Sequence, residues 1–326
     1  MDAKFRKLCI DAYRGVPTAY AEGNPTEVIV NRIKEANNGS TVLDYKAIRD
    51  GKCPELFSVI EELIEVALDV APLEDSPIRG MIEEKRYAWG DKPEFYVDDN
   101  SLLTVDVITN GTQGIRRQRL VGGQKITVNP VTKAVKIYEE LILILAGRID
   151  WVEFVNRVAK SFERDFYNSI ANQLNSLASV RFNISAGGSP TESGLLGVIE
   201  KVEAATGKQA YILGTRTAFR RFTLTNTGDL VENDYYNMGY AGKFNGTPAI
   251  RLKNTLDASG NFILADNRIY VVAGDDKIFK HYIEGEPIVI ARDATDNADL
   301  TQEYTVIRRE GVAVAVSATM GIYSFT

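Results

Sequence analysis

The residues able to do chemistry in this chain are few and scattered. One histidine, His281, stands in DDKIFKHYIEGEP. A Ser/His/Asp or Cys/His arrangement therefore has a single possible base, and a His-rich metal site is excluded. No serine or cysteine lies close to it in sequence, so His281 reads as a surface or packing histidine beside a strand edge. ATGKQ, Ala205 to Gln209, has the Gly-Lys of a phosphate loop, but Val202 occupies the required first glycine position and Gln209 the Ser/Thr position. Gly207 reads instead as a helix C-cap. Asp293, Asp296 and Asp299 in ARDATDNADL are spaced by three without the central glycine of a calcium loop, and read as a polar loop. The pairs Glu139-Glu140 and Asp275-Asp276 mark solvated faces. Cys9 and Cys53 are too few for a disulfide framework or a cysteine zinc site, and read as two reduced thiols. This inventory predicts no catalytic residues, no cofactor and no metal: a chain that is not an enzyme.

One basic constellation remains. DVITNGTQGIRRQRLVGGQKITVNP, Asp106 to Pro130, alternates apolar and polar residues on both sides of a Gly-rich middle. It reads as a β-ribbon turning at Asn110-Gly111 or Gln113-Gly114, with Arg116, Arg117 and Arg119 just beyond the turn and Lys125 on the return limb. Arg116 and Arg117 point to opposite faces of a strand, so at most two of the three arginines share one. No aromatics interleave them, which speaks against nucleic acid. The chain as a whole carries 38 Lys+Arg against 44 Asp+Glu, a net charge of -6. Such an acidic surface would attract the arm of another copy.

The elements that must position this ribbon follow a definite order. In the first eighty residues, Pro25 opens TEVIVNRIKEANNG and Pro54 opens ELFSVIEELIEVALDV, two short amphipathic helices that bury little alone. They form an arm that lies on the main core or on a neighbouring chain. From Glu94 the period becomes two, in FYVDDNSLLTVDVIT and IRRQRLVGGQKITV, until Pro130. KAVKIYEELILIL then reads as a buried strand or a helical turn. The strongest helix is predicted over Asp150 to Ala178, with Trp151, Phe154, Val155, Val158, Phe162, Phe166, Ile170, Leu174 and Leu177 recurring every three or four positions. Asp150 with Glu153 has capping-box spacing, and Glu153 with Arg157 is an i,i+4 pair. This is a rod of roughly 40 Å, which implies an elongated body.

SAGGSPTESG, Ser185 to Gly194, is the clearest internal boundary. Beyond it, LLGVIEKVEAATG predicts a helix, QAYILG a buried strand and TRTAFRRFTL a second helix, an alternation that suggests a separate α/β subdomain. Strands follow in NRIYVVAG and GEPIVIAR, and EYTVIRREGVAVAVSATMGIYSF reads as one long strand or a hairpin, broken only at Gly311. Asn-Gly-Thr at Asn110 and Asn245 reads as hairpin turns. The start, MDAKFRKLCIDAYRG, lacks an apolar stretch of signal-peptide length, and no run of about 18 apolar residues occurs. Synthesis inside the cell and no membrane contact are therefore expected.

In this order the parts resemble the major capsid protein of tailed bacteriophages, with the fold named after phage Hong Kong 97. The similarity covers nearly the whole chain from about Lys85, and GTPAIRL and RIYVVAGDDKIFKHYIEGEPIV carry it best. The resemblance implies an α+β fold in five parts: an N-terminal arm with short helices (1–84), an extended β-hairpin loop (85–130), a peripheral domain with the spine helix (131–193), an axial α/β domain (194–295) and C-terminal strands returning to the peripheral domain (296–326). It implies intersubunit contact through Arg116, Arg117, Arg119 and Lys125, and a spine-helix core of Trp151, Phe154, Val158, Phe162 and Phe166. The function implied is self-assembly, as hexamers and pentamers, into the icosahedral head shell that encloses double-stranded DNA. Its partners would be other copies, a portal, scaffold or decoration proteins and DNA touched weakly on the inner face; its place would be the virion, after assembly in the host cytoplasm. Some family members cross-link a loop lysine to an asparagine; no asparagine partner is identifiable for Lys125, so cross-linking is not expected. The alternatives are an encapsulin-type bacterial compartment, a phage tail or connector protein, and an α/β enzyme using scattered carboxylates.

Overall fold

The computed structural model describes residues 77–97, 99, 101–107, 117, 118, 123–140, 151–177, 180–222, 234, 237–257, 259–274, 276–292, 301–316 and 319–326, with Lys7, Asn31, Glu35, Gly39, Ser40, Lys46 and Ile64 as single positions ahead of them. The two arm helices expected from the sequence thus fall outside the described residues, apart from such single positions. Of these, Ile64, on the predicted apolar stripe, is helical and fully buried.

Among the described residues, a four-stranded sheet, a six-stranded sheet and two long helices make an α+β body. The first sheet has the order β1-β10-β11-β4, with β1 Ile82–Tyr87, β10 Phe279–Arg292, β11 Thr301–Val314 and β4 Val131–Glu140. β1 runs parallel to β10, and the other pairs are antiparallel. KAVKIYEE, ambiguous in the sequence, is strand: its alternate residues fit a sheet with one face covered. The long helix α1 spans Trp151–Ser176, close to the predicted bounds. Val158, Phe162, Phe166, Ile170 and Leu174 are buried along one stripe, each large side chain contributing about 1.5–3 kcal/mol. The predicted pair is present, with Arg157 Nη2 2.5 Å from Glu153 Oε1.

The second sheet has the order β5-β12-β9-β6-β8-β7. Its strands are β5 Phe182–Ser185, β6 Ala210–Gly214, β7 Lys243–Phe244, β8 Thr247–Arg251, β9 Arg268–Ala273 and β12 Gly321–Ser324. RIYVVA forms β9 as a nearly continuous apolar run because both faces are covered. Tyr270 and Val272 meet α1, while Ile269 and Val271 meet α2, Glu192–Thr206. Thr191 caps α2 by accepting from Gly194 N, and Gly207 ends it in the left-handed region (φ 67°), the C-cap read from the sequence. Thr215 caps the short helix α3, Arg216–Arg220, by accepting from Ala218 N at 3.1 Å. Asn245-Gly246 turns β7 into β8 with φ of 44° and 87°, the tight hairpin expected there.

Three differences from the sequence reading have physical causes. First, the alternating C-terminal stretch is neither one strand nor a hairpin. β11 runs through Gly311 to Val314 in the first sheet, whereas β12 lies between β5 and β9 in the second. Residues 301–314 and 321–324 therefore serve different sheets; Met320, Ile322, Tyr323 and Phe325 are buried together, as a strand covered on both faces requires. Secondly, GEPIVIAR is the second half of a longer strand, β10, whose register shifts between Glu284 and Ile288. β9 and β10, adjacent in sequence, belong to different sheets. Thirdly, among the described residues the β-ribbon forms a ladder at its base, where β2 Glu94–Val97 pairs with β3 Gln124–Thr127. Ser101–Val107 carries no strand and its apolar residues are exposed; a two-stranded arm is marginal unless a further layer covers its apolar side.

Candidate functional site

The ribbon base is fixed to the outer face of the first sheet, opposite α1. Alternation along β2 turns Phe95 inward, fully buried, and Tyr96 outward, exposed. Phe95 forms a cluster with Val128 and Tyr282, against which Tyr87 packs. The Tyr282 hydroxyl donates to Asp91 O at 3.2 Å, and burial pushes its pKa up. Lys85 Nζ sits 4.7 Å from the Phe95 ring centroid and donates to Glu94 O at 3.2 Å. Lys280, itself buried, pairs with Glu83 on the same face. Burial alone would raise Glu83, but Lys280 and Lys85 outweigh it and hold its carboxyl below the ordinary range. One turn on, Gly90 N donates to Glu284 Oε1 at 2.8 Å, and Glu284 pairs with Arg309 at 3.0 Å. These contacts make the base a rigid mount.

The residues predicted for intersubunit contact are placed as follows. Lys125 is exposed on β3 and forms an ion pair with Glu94 of its own ribbon, whose hydrogen bond raises the lysine pKa. Arg117 is exposed; Arg116 and Arg119 lie outside the described residues. Of the predicted spine core, Val158, Phe162 and Phe166 are buried, and Trp151 and Phe154 are on α1 with side chains outside the described set. The sequence reading missed the apolar loop residues: Leu102, Leu103, Val105 and Val107 all stand exposed. Their signal was the alternation in SLLTVDV, which has no partner layer among the described residues.

His281 is not at the surface. It is 1% exposed, on the α1 side of β10, with its ring 4.8 Å from that of Phe166. β1 flanks it on one side, which a reading of the local sequence as a strand edge could not anticipate. Its Nε2 lies 3.3 Å from Glu310 Oε2, and its Nδ1 3.9 Å from Glu84 Oε2, an ion-pair rather than a hydrogen-bond separation. Glu310 also meets Arg308 Nε at 3.3 Å and Lys133 Nζ at 2.9 Å; Lys133 in turn pairs with Asp165 of α1. Burial alone would raise Glu310, but His281, Arg308 and Lys133 hold it at about 2. Glu84 is also held at about 2, chiefly by His281 and against its own burial. The cluster joins β1, β4, β10, β11 and α1. Among the described residues no group of three or more His, Cys, Asp or Glu could hold a metal, and no helix is long and apolar enough to cross a membrane.

A long helix on one face of a sheet, a ribbon mounted on the other, and an α/β body around a second sheet define a capsid-type subunit. The fold is similar to that in the capsid of an empty GTA particle, at 12% identity and a TM-score of 0.53 over 77% of this chain and 90% of that one. It is similar to the mature capsid of bacteriophage PhiM1, at 14% identity and a TM-score of 0.53 over 78% of this chain and 88% of that one. The capsid of cyanophage P-SCSP1u gives 11% identity and a TM-score of 0.50 over 76% and 86%. By sequence, residues 4–324 match the family described as "SPbeta prophage-derived putative capsid protein YonB", and the chain belongs to that family. It is a phage major capsid protein, a structural subunit of the head shell. The match favours a phage shell over a bacterial compartment. No curated protein matches the sequence.

Proposed function

We propose that this chain builds the head shell by laying its extended loop on a neighbouring copy. The observation that carries the reading is the contrast along one limb: Phe95 is fully buried in the mount, whereas Val105 and Val107, ten and twelve residues on, are 90% and 102% exposed. A rigid base with an uncovered apolar limb is what repeated heterologous contacts in a closed shell require. Arg116, Arg117 and Arg119 meet carboxylates of the neighbour in this reading, and Lys125 exchanges its own-ribbon partner Glu94 for one of them, each exposed pair contributing only about 0.2–1 kcal/mol. Strength then comes from apolar burial and from many copies.

The division into arm, loop, peripheral domain and axial domain belongs to the same proposal, with the second sheet as the body of the axial part; β10 then goes with the first sheet rather than with the axial range 194–295, and of the C-terminal strands β11 joins the first sheet while β12 joins the second. So do hexamers and pentamers as building units, a portal and a scaffold or decoration protein as partners, assembly in the host cytoplasm, and DNA held weakly by an acidic wall. The role is mechanical, and no catalytic step is assigned. Deleting Asn110 to Arg119 should leave a folded, soluble subunit that sediments without shells. Shells of normal diameter from that deletion would remove the loop from its assigned role.

A further inference from the structure

Beyond its base the loop is held again at Leu102. The backbone N–H of Leu102 donates to Ala205 O at 3.0 Å. Ala205 lies in the last turn of α2, where carbonyls lack intrahelical donors. The Gly207 N–H takes the Glu203 carbonyl at 2.7 Å, and the loop supplies a donor for another. The δ-methyls of Leu102 lie 3.6 and 3.8 Å from where a Cβ on Gly207 would stand, ordinary packing distance. On the near side, Ser101 N donates to Asp99 Oδ1 at 3.0 Å. On the far side, Thr104 N donates to Gln118 Oε1 at 2.8 Å and Gln118 Nε2 returns to Thr104 O at 2.6 Å. What holds Leu102 therefore holds both limbs.

We propose that the Leu102–Ala205 contact is a positioning latch, which aims the extended loop in the free subunit so that Leu103, Val105 and Val107 are presented to a second copy of this chain. The proposal rests on the reading that the loop joins neighbours in the shell. A second copy is the occupant the observations favour. The loop carries Arg116, Arg117 and Arg119, while the chain as a whole has 44 acids to 38 bases, so another copy offers the complementary charge. Ordering a loop on association costs free energy and slows productive encounters; ordering it beforehand removes that cost. Leu102 and Gly207 are thus positioning residues for assembly. The body of the fold does not depend on them through Leu102, whose side chain remains mostly exposed.

The test uses the full chain, with Leu102→Pro to remove the donor and Leu102→Ala to keep the N–H but delete the δ-methyls. In the soluble wild-type subunit the Leu102 amide should exchange about tenfold more slowly than that of Val105. Light scattering during assembly should show a lag about tenfold longer in Leu102→Pro, the factor matching one hydrogen bond of ordinary net strength. A smaller lengthening is expected for Leu102→Ala, with particles of wild-type diameter and an unchanged thermal midpoint of the subunit. Equal exchange at Leu102 and Val105, or wild-type lags in both variants, would overturn the latch. If Leu102→Pro lowers the thermal midpoint, Leu102→Ala decides: a longer lag supports the latch and a wild-type lag overturns it. A wild-type chain that forms no particles would count against the shell reading, while the exchange measurement would still decide the latch.

Discussion

Replacing Glu310 with glutamine removes one negative charge from the centre of a cluster where Lys133, His281 and Arg308 all approach it, at 2.9, 3.3 and 3.3 Å. The folded protein holds this carboxyl at about 2, against an ordinary 4.5. At about 1.4 kcal/mol per pH unit, the gap corresponds to about 3 kcal/mol of stability at neutral pH. Breaking a buried pair by removing one partner costs about 3–5 kcal/mol, in agreement. The sign follows from the depressed pKa: the contribution is fully present above pH 4.5 and is lost as pH falls from there toward 2. Urea unfolding of the unassembled subunit should therefore show Glu310→Gln about 3 kcal/mol less stable than wild type at pH 7, and only about 1 kcal/mol less stable at pH 3. A deficit that is the same at both pH values would refute the electrostatic account and point to shape or packing instead.

Two further outcomes are expected. Phe95→Ala, which empties the mount between the ribbon and Tyr282, should cost about 3–5 kcal/mol in chemical denaturation and make the Gly90–Val97 segment accessible to limited proteolysis before the rest unfolds. Thr215→Ala, which removes the acceptor for Ala218 N, should lower stability by about 1 kcal/mol without changing particle diameter in electron micrographs.

Much of the frame is legible in the sequence because it rests on local periodicity. The bounds of α1 are legible to within two residues because its apolar stripe is unbroken over about seven turns, and Gly207 and Asn245-Gly246 are legible because those residue types settle comfortably in the left-handed region. What was not legible depends on which strand lies beside which. Nothing in IYVVAGDDKIFKHY tells that β9 and β10 part company at Gly274 to join different sheets, and so nothing tells that His281 is interior. The charge cluster has the same origin: Glu84 comes from a strand far in sequence from those of His281 and Glu310, and the registers Glu84 to His281 and Glu310 to Ile283 bring the three together. For the loop, alternation predicts a strand, whereas the apolar residues of SLLTVDV are exposed without a ladder. A pattern that predicts burial can be met by another molecule as well as by the chain itself.

In the proposed function, copies of this chain close into a shell through their loops. The most direct measurement is electron microscopy of material sedimented from cells expressing the full chain, carried to a reconstruction that traces residues 94–127. Closed particles in which Leu103, Val105 and Val107 lie covered on an adjacent copy are the expected result. Shells in which those residues face solvent, with contacts made elsewhere, would contradict it.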